Sequence, residues 1–148
     1  MIYPTITAAL TGAEAVIKQE REENGTEGER RLILKDKLYL TRYHNYGAFW
    51  NIGERHPEYI RGVSMGLCAA CTILYVLTLG RKGKHLLKLG LSILLGGAYS
   101  NTYDRMVRGY VVDYLGLQVE NERLRNMVFN LSDLFIVIGA AICVIAGK

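Results

Sequence analysis

Two aspartates stand beside long apolar stretches of this 148-residue chain. Asp113 lies between the pairs Val-Val and Tyr-Leu, and Asp133 is the only charge in the twenty-one residues 127–147. A carboxylate beside hydrocarbon is costly and is seldom kept without a function. Two carboxylates that meet can share one proton, so that one acts as acid and the other as base. That is the minimal chemistry for hydrolysing a peptide bond without a metal.

Neutral and cationic hydrogen-bonding residues occur close to these aspartates in sequence. Asn101 and Arg105 precede Asp113, and Asn130 precedes Asp133. An asparagine amide can hold a scissile carbonyl or a backbone group without adding charge. The Arg105 guanidinium could hold a carboxylate or a lipid phosphate. The combination indicates a site built around the two acids.

Each of these residues also has a purely structural interpretation. Asp133 could cap the start of its own helix, where free N–H groups favour a carboxylate, and Asn130 could cap it equally well. Asp113 alone could be an ordinary interfacial acid. Arg105 could pair with Asp104 or with a lipid headgroup. The residue types alone leave these alternatives open, and only the combination favours a catalytic site.

Three segments are apolar enough to predict membrane-spanning helices. They are 62–80, which has no charge, 86–103, which has only Lys88, and 127–147. About 20 apolar residues are needed to cross a bilayer. The first thirteen residues are uncharged but too few to span, so 1–24 is predicted to be a short N-terminal helix that only partly crosses. A soluble bundle is disfavoured, because three segments that are apolar all round would be hard to cover.

The segment between the first helix and the first long span is charged and polar. Residues 31–51 are rich in Leu, Ile, Tyr and Thr and alternate partially, with an interruption at Lys35–Lys37. This pattern predicts a small antiparallel β element within 30–56, with its turn at the interruption.

The basic run R-K-G-K-H at 81–85 lies in a very short loop between two predicted spans. The positive-inside rule places such a loop in the cytoplasm, so 14–61 and 104–128 would share the outer side. Asp113 and Asp133 would then lie near the same outer face. The predicted fold is an all-α membrane bundle of three or four transmembrane helices with a small extracytoplasmic β element, as a single domain over 1–148.

Composition argues against several other classes of protein. The net charge is +4, but no long basic tract is present, which disfavours nucleic-acid binding. The C-A-A-C sequence at 68–71 has redox-like spacing but lies inside an apolar segment, as does Cys143, which favours buried thiols. The three histidines are scattered. No metal and no organic cofactor is predicted.

Two blocks of the sequence resemble those of the signal peptidase II family. Gly96–Tyr114, G-G-A-Y-S-N-T-Y-D-R-M-V-R-G-Y-V-V-D-Y, resembles the family block G-G-A-x-G-N-x-x-D-R-x-x-x-G-x-V-V-D-F. Residues 129–133, F-N-L-S-D, resemble its F-N-x-A-D block. More weakly, 42–49 resembles its N-x-G-x-A-F segment, and 14–18 resembles a D-x-x-x-K pair at the outer end of its first helix.

The resemblance implies a role for each matching residue. Asp113 and Asp133 would be the catalytic aspartates. The supporting and substrate-binding residues would be Asn101, Asp104, Arg105, Asn130, Asn45, Gly47, Glu14 and Lys18. The last two, four residues apart on one helix face, would lie at the outer membrane interface near the site.

The same resemblance implies the activity and its setting. The protein would be a multi-pass aspartyl endopeptidase of the cell membrane, with its active site towards the outer face. It would remove signal peptides from prolipoproteins, just before a diacylglyceryl-modified cysteine. Its partners would be prolipoprotein signal peptides and membrane lipids, and it would act as a monomer without a cofactor.

The chain departs from the family pattern at several positions. Glu14 replaces Asp, Ser100 replaces Gly, Tyr114 replaces Phe and Ser132 replaces Ala. The first span is shortened, and N-Y-G-A-F is one residue short of the usual spacing. None of these changes removes a catalytic carboxylate. The Ser132 hydroxyl is predicted to tune the pKa of its neighbour Asp133.

Two other functions are compatible with a small membrane protein. A non-catalytic protein of the same fold could bind lipoproteins or lipopeptides without cutting them; the shortened first helix favours it, and the intact aspartate pair opposes it. A transporter or channel subunit is poorly supported, because three or four spans without an internal repeat offer little for transport.

Overall fold

The structure, a computed structural model, describes residues 2–48 and 51–147. Phe49, which ends the N-Y-G-A-F segment, lies outside the described residues. The described elements are α1 Ile2–Asn24, β1 Arg31–Ile33, β2 Leu38–Asn45, α2 Pro57–Leu79, α3 His85–Val107, β3 Val111–Leu117, α4 Glu122–Arg125, β4 Val128–Phe129 and α5 Leu131–Ala146.

Helix α3 lies at the centre of the helical part and packs against α1, α2 and α5. Two threonines of α1 bond to its backbone: the Thr7 hydroxyl donates to the Ser92 carbonyl at 3.1 Å, and the Thr11 hydroxyl donates to the Gly96 carbonyl at 3.0 Å. Such bonds between helices are favoured where water is excluded. They fix the position of α1 along α3, and with it the polar residues further along α1.

Glycines allow α3 and α5 to approach each other very closely. A Cβ atom on Gly97 would overlap the Ser132 carbonyl, and one on Gly139 would overlap the Leu94 amide nitrogen. In both cases the obstructing atom belongs to the backbone, so it cannot rotate away. The contact at Gly97 brings Asn101, one helical turn further along α3, next to the first turn of α5.

The small core between the helices is formed by the buried Cys68, Tyr75, Leu91 and Leu95. The remaining faces of α2 are exposed and apolar, with uncovered side chains at Val63, Met65, Leu67, Ile73, Leu74, Val76 and Leu77. An apolar surface of this extent needs a nonaqueous surrounding or a partner.

The four strands form one antiparallel sheet in the order β1-β2-β3-β4. The turn between β1 and β2 has positive φ at Leu34, Lys35 and Asp36. Strand β3 lies between β2 and β4, and six of its seven residues are buried. Its register places Asp113 opposite Tyr43 of β2.

The fold is helical with a small antiparallel sheet, in agreement with the coarse prediction, but it is not all-α. The sheet also extends beyond the predicted β element. Its strands β3 and β4 come from 111–117, within the predicted outer segment 104–128, and from 128–129, at the start of the last predicted span. The sequence did not predict strand β3 because it pairs with β2, which lies far earlier in the chain, and such a pairing leaves no local pattern.

The helices differ in their suitability for crossing a membrane. Among the described residues, only Pro57–Leu79 is long and apolar enough by length and composition, and Leu131–Ala146 is a shorter apolar helix. The segment predicted over 127–147 is shortened because β4 and a capping residue precede its helix. Helix α3 is long but carries polar groups along its inner side.

Candidate active site

Asp113 lies on the central strand β3 with only 1% of its surface exposed. Its Oδ2 accepts a hydrogen bond from the Asn45 Nδ2 at 2.9 Å, and its Oδ1 accepts one from the Asn130 Nδ2 at 2.7 Å. The two donors come from β2 and from the residue before α5. Both carboxyl oxygens are therefore oriented by neutral amides from different parts of the chain.

Asp133 lies in the first turn of α5 and belongs to a reciprocal cap. The Asn130 side chain accepts from the Asp133 amide at 3.0 Å, and the Asp133 Oδ2 accepts from the Asn130 amide at 3.1 Å. Its other oxygen, Oδ1, accepts from the Asn101 Nδ2 at 2.8 Å. Capping therefore uses one carboxyl oxygen of Asp133, and Asn101 of α3 binds the other.

The Asn130 side chain connects the Asp113 carboxyl group to the backbone of Asp133. Its Nδ2 donates to Asp113, while its Oδ1 accepts from the backbone amide of Asp133. Since the amide is held at both ends, its orientation is determined. The side chain is fully buried. Asp113 and Asp133 are therefore neighbours with a fixed relative position.

The environment of Asp113 favours its protonated form. Burial raises the pKa of Asp113, and repulsion from the Asp133 carboxylate raises it further, whereas the amides of Asn45 and Asn130 and the charge of Lys18 lower it. The resulting pKa is about 8. Asp113 therefore retains a proton at neutral pH, which is the state required of a general acid.

Lys18 reaches the site from α1 and is buried, with 1% of its surface exposed. Its Nζ donates to the Asn101 Oδ1 at 2.8 Å and to the Ser100 Oγ at 2.9 Å, and it lies 3.0 Å from the Asp104 Oδ2. An ammonium group has three donors, and these three contacts use all of them. Because Asn101 accepts from Lys18, its Nδ2 is turned towards Asp133.

Glu14, one turn before Lys18, is completely buried within the protein. Its Oε1 accepts from the Tyr114 hydroxyl in a short bond, and its Oε2 accepts from the Ser132 hydroxyl at 2.8 Å. Burial and the neighbouring carboxylate raise the pKa of Tyr114, which keeps its hydroxyl protonated as a donor. The Ser132 hydroxyl, which was predicted to tune the pKa of Asp133, bonds to Glu14.

Asp104 supports the start of β3 rather than contacting the aspartate pair. Its Oδ2 accepts from the Val112 amide at 3.2 Å, next to Asp113, and its Oδ1 lies 3.2 Å from the Arg108 Nε. The ion pair considered between Arg105 and Asp104 does not form, because Arg108, one turn after Asp104, takes that position. Asp104 therefore joins the end of α3 to the strand that carries Asp113.

Arg105 spans the space between α3 and the loop after β2. Its Nη2 donates to the Gly47 carbonyl at 3.0 Å, and the Gly47 amide in turn donates to the Asn45 Oδ1 at 2.9 Å. The Nε of Arg105 is buried and finds no hydrogen-bond partner among the described residues. A buried N–H without a partner is costly, so this donor is available to a ligand.

A cavity of about 270 Å³ lies beside the site, between α2, α3 and α5. Its polar end is formed by Asn101 and Arg105, which contact the site. Its walls are mainly apolar or small: Ser64, Leu67, Cys68, Cys71, Leu94, Ala98, Thr102 and Ile136. The cavity can take an apolar segment whose polar end meets Asn101 and Arg105.

The predicted site residues are therefore brought together, although not all of them reach the two carboxyl groups. Asn45, Asn101 and Asn130 bond to the aspartates directly, whereas the remaining supporting residues bond to these asparagines or to other groups around the site: Gly47, Asp104, Arg105, Glu14 and Lys18. In the sequence, Ser100, Tyr114 and Ser132 stand out as departures from a family pattern, and only Ser132 has a predicted effect, on the pKa of Asp133. Their common feature, a hydroxyl added at each position, was the available signal.

Two of the three cysteines, Cys68 and Cys71, line the cavity, and Cys143 does not. Cys68, Cys71 and Cys143 are free thiols. Within residues 2–48 and 51–147, no group of three or more His, Cys, Asp or Glu side chains is placed to hold a metal ion.

Comparisons with known proteins point to one family. Residues 6–147 match the family model described as signal peptidase (SPase) II. A lipoprotein signal peptidase from Listeria monocytogenes serotype 4b (strain CLIP80459) is 28% identical over 145 residues, 98% of this chain and 92% of its own length. One from Enterococcus faecalis (strain ATCC 700802 / V583) is 30% identical over 144 residues, 97% of this chain and 85% of its own.

A solved structure has the same fold. It is described as a bacterial membrane enzyme determined by the in meso method at 2.3 Å, and it superposes with a TM-score of 0.82 at 22% identity. The match covers 98% of this chain and 86% of that one.

Proposed function

Since the chain belongs to the signal peptidase II family, we propose that Asp113 and Asp133 are the carboxyl groups with which it hydrolyses its substrate. The chain is a peptidase that removes signal peptides from lipoprotein precursors. The observation that supports the aspartyl mechanism is the Asn130 bridge, in which one buried side chain donates to the Asp113 carboxyl group and accepts from the Asp133 backbone amide.

One aspartate would act as the general base and the other as the general acid. Asp133 takes a proton from a water molecule while the water oxygen bonds to the scissile carbonyl carbon. Asp113, whose pKa of about 8 leaves it protonated, gives its proton to the amide nitrogen as the C–N bond breaks. Proton transfer from Asp133 to Asp113 through water then restores the starting state.

The substrate would approach through the cavity beside Asn101 and Arg105. The apolar residues of a signal peptide match its apolar walls, and the unpartnered Arg105 Nε matches a backbone carbonyl near the scissile bond. Gly47 would line the opposite side, because its carbonyl holds the Arg105 guanidinium. A diacylglyceryl group on the precursor cysteine would remain in the surrounding lipid.

The membrane arrangement belongs to the same proposal. The family comprises membrane enzymes, and the exposed apolar face of α2 suits contact with lipid. We place α2, α3 and α5 across the bilayer, with the basic loop 81–85 in the cytoplasm and the sheet with the aspartate pair towards the outer face. Helix α1 would cross only partly, because its uncharged part before Glu14 is about 20 Å long, against a hydrocarbon core of about 30 Å. The protein would act as a monomer.

A cleavage assay on a diacylglyceryl-modified prolipoprotein tests the proposal directly. Asp113→Asn and Asp133→Asn should each abolish the product band on a gel while the protein still inserts into the membrane and binds the precursor. Neither amide can take up or release a proton at neutral pH.

A matched control is Asp36→Asn, which removes a carboxylate from the exposed turn between β1 and β2 and should cleave at the wild-type rate. Cleavage above a few per cent in Asp113→Asn or Asp133→Asn would refute the assignment. Binding without cleavage by the wild-type protein would instead support the non-catalytic alternative.

A further inference from the structure

The Glu14 carboxylate is held by neutral hydroxyl groups although a cation lies close to it. Tyr114 and Ser132 each donate to one of its oxygens. The Lys18 Nζ lies 3.6 Å from the Glu14 Oε2, which is longer than a hydrogen bond. Both charged residues are buried, so their mutual attraction is weakly screened.

The three donors of Lys18 are directed elsewhere. They serve Ser100, Asn101 and Asp104 at 2.8–3.0 Å. The contact with Asn101 matters for catalysis, because it turns the other end of that amide to Asp133 at 2.8 Å. The position of the ammonium group therefore controls the orientation of a catalytic carboxylate two contacts away.

We propose that Tyr114 and Ser132 are positioning residues that satisfy Glu14, so that Lys18 remains on Asn101 and Asn101 remains on Asp133. Without the two hydroxyls, a buried carboxylate would have no neutral donor and would draw the nearest cation towards it. Lys18 would then leave Asn101, and the Asn101 amide would lose its fixed orientation. The inference rests on the proposed function of Asp133 as a catalytic residue.

The Tyr114 hydroxyl, which donates to Glu14, also contacts the start of helix α5. It accepts a hydrogen bond from the Leu131 amide at 3.3 Å, at the first residue of α5. Ser132, the next residue, donates to Glu14. The start of the helix that carries Asp133 is thus attached to Glu14 of α1 through two hydroxyl groups.

Both residues are departures from the family blocks noted above, in which Phe and Ala stand at these positions. Each departure adds one hydroxyl, and both hydroxyls contact the same carboxylate, that of Glu14. Ser100, a third such departure, supplies an acceptor to Lys18. The arrangement is therefore a property of this chain's own side chains.

The experiment measures cleavage of a diacylglyceryl-modified prolipoprotein by the full-length protein in detergent. The double variant Tyr114→Phe/Ser132→Ala should lower kcat about tenfold, the loss expected for one misplaced hydrogen bond, with KM within about twofold of wild type. Adding Glu14→Gln to the double variant should restore most of kcat, because the neutral side chain no longer attracts Lys18. A purely structural role of the hydroxyls would not give this rescue.

The control variant is Tyr39→Phe, which removes another buried hydroxyl from the same sheet, one that donates to the Arg125 carbonyl at 2.6 Å. It should leave kcat unchanged. If the double variant does not fold, Tyr114→Phe and Ser132→Ala are each compared with and without Glu14→Gln. An unchanged kcat without the hydroxyls, or a loss that Glu14→Gln does not reverse, would overturn the inference.

Failure of the underlying function gives a different result in the same assay. Residual cleavage by Asp133→Asn would show that the aspartate assignment is wrong, and this inference would fail with it. Loss of cleavage in Asp133→Asn, together with full activity of the double variant, would overturn only the role of Tyr114 and Ser132.

Discussion

Replacing Asn130 separates helix capping from orientation of the aspartate pair. In the wild type, Asn130 caps α5 through its Oδ1 and holds Asp113 through its Nδ2. Alanine removes both interactions. Serine is a good N-cap residue but its hydroxyl is too short to reach Asp113, so Asn130→Ser removes only the second.

The expected stabilities follow from these contacts. Loss of a cap costs about 1 kcal/mol. Leaving the buried Asp113 Oδ1 without its donor costs about 1–3 kcal/mol. Asn130→Ala should therefore be destabilised by about 2–4 kcal/mol and Asn130→Ser by about 1 kcal/mol less. Unfolding of the detergent-solubilised protein should give the order wild type, Asn130→Ser, Asn130→Ala.

The cleavage rates should follow a different order. Because both variants release Asp113 equally, both should lose about 10- to 100-fold in kcat, the equivalent of about 1.4–2.8 kcal/mol in the barrier. The control is Asn121→Ala, which removes the N-cap of the exposed helix α4 and should leave the rate unchanged. If Asn130→Ser cleaves faster than Asn130→Ala to the extent that it is more stable, Asn130 acts only as a cap and its bond to Asp113 has no catalytic role.

Three further predictions test the electrostatics, the topology and the packing. The cleavage rate should fall as the pH rises through about 8, where Asp113 loses its proton. Lys18→Met should move this fall to higher pH, because the Lys18 charge lowers the pKa of Asp113. A pH–rate profile measures both effects, and a shift of the fall to lower pH would contradict the assignment. A cysteine introduced at Gly83 in a Cys-free background should react with an impermeant thiol reagent only after the cytoplasmic side is opened, and labelling of intact cells would reverse the proposed topology. Gly139→Ala should lower both thermal stability and cleavage, since its Cβ would overlap the α3 backbone, whereas Gly66→Ala, which has open space around it, should lower neither.

Much of the candidate site could be predicted because its signals are local in sequence. Asp133 is the only charge in a long apolar segment, and Asn130 precedes it at the spacing of a reciprocal cap. Glu14 and Lys18 stand four residues apart, so a helix brings them to one face. The family was recognised from two short blocks, and the match over residues 6–147 confirms it.

The strand that carries Asp113 could not be predicted in the same way. Residues 111–117 follow a helix directly and have no alternation to mark a strand, because both faces of β3 are buried. Their extended conformation depends on pairing with β2 on one side and β4 on the other. The span predicted over 127–147 is longer than helix α5, because strand β4 and the capping residue Asn130 occupy its first residues.

The sequence by itself determined which residues could do the chemistry and which segments are apolar. The tertiary structure alone decided that Glu14 is buried, that Tyr114 and Ser132 donate to it, and that Lys18 donates to Asn101. These residues come from α1, α3, β3 and α5, and the sequence does not show which of them meet. The physical reason is that a hydroxyl selects its partner only once packing has excluded water and left one acceptor within reach.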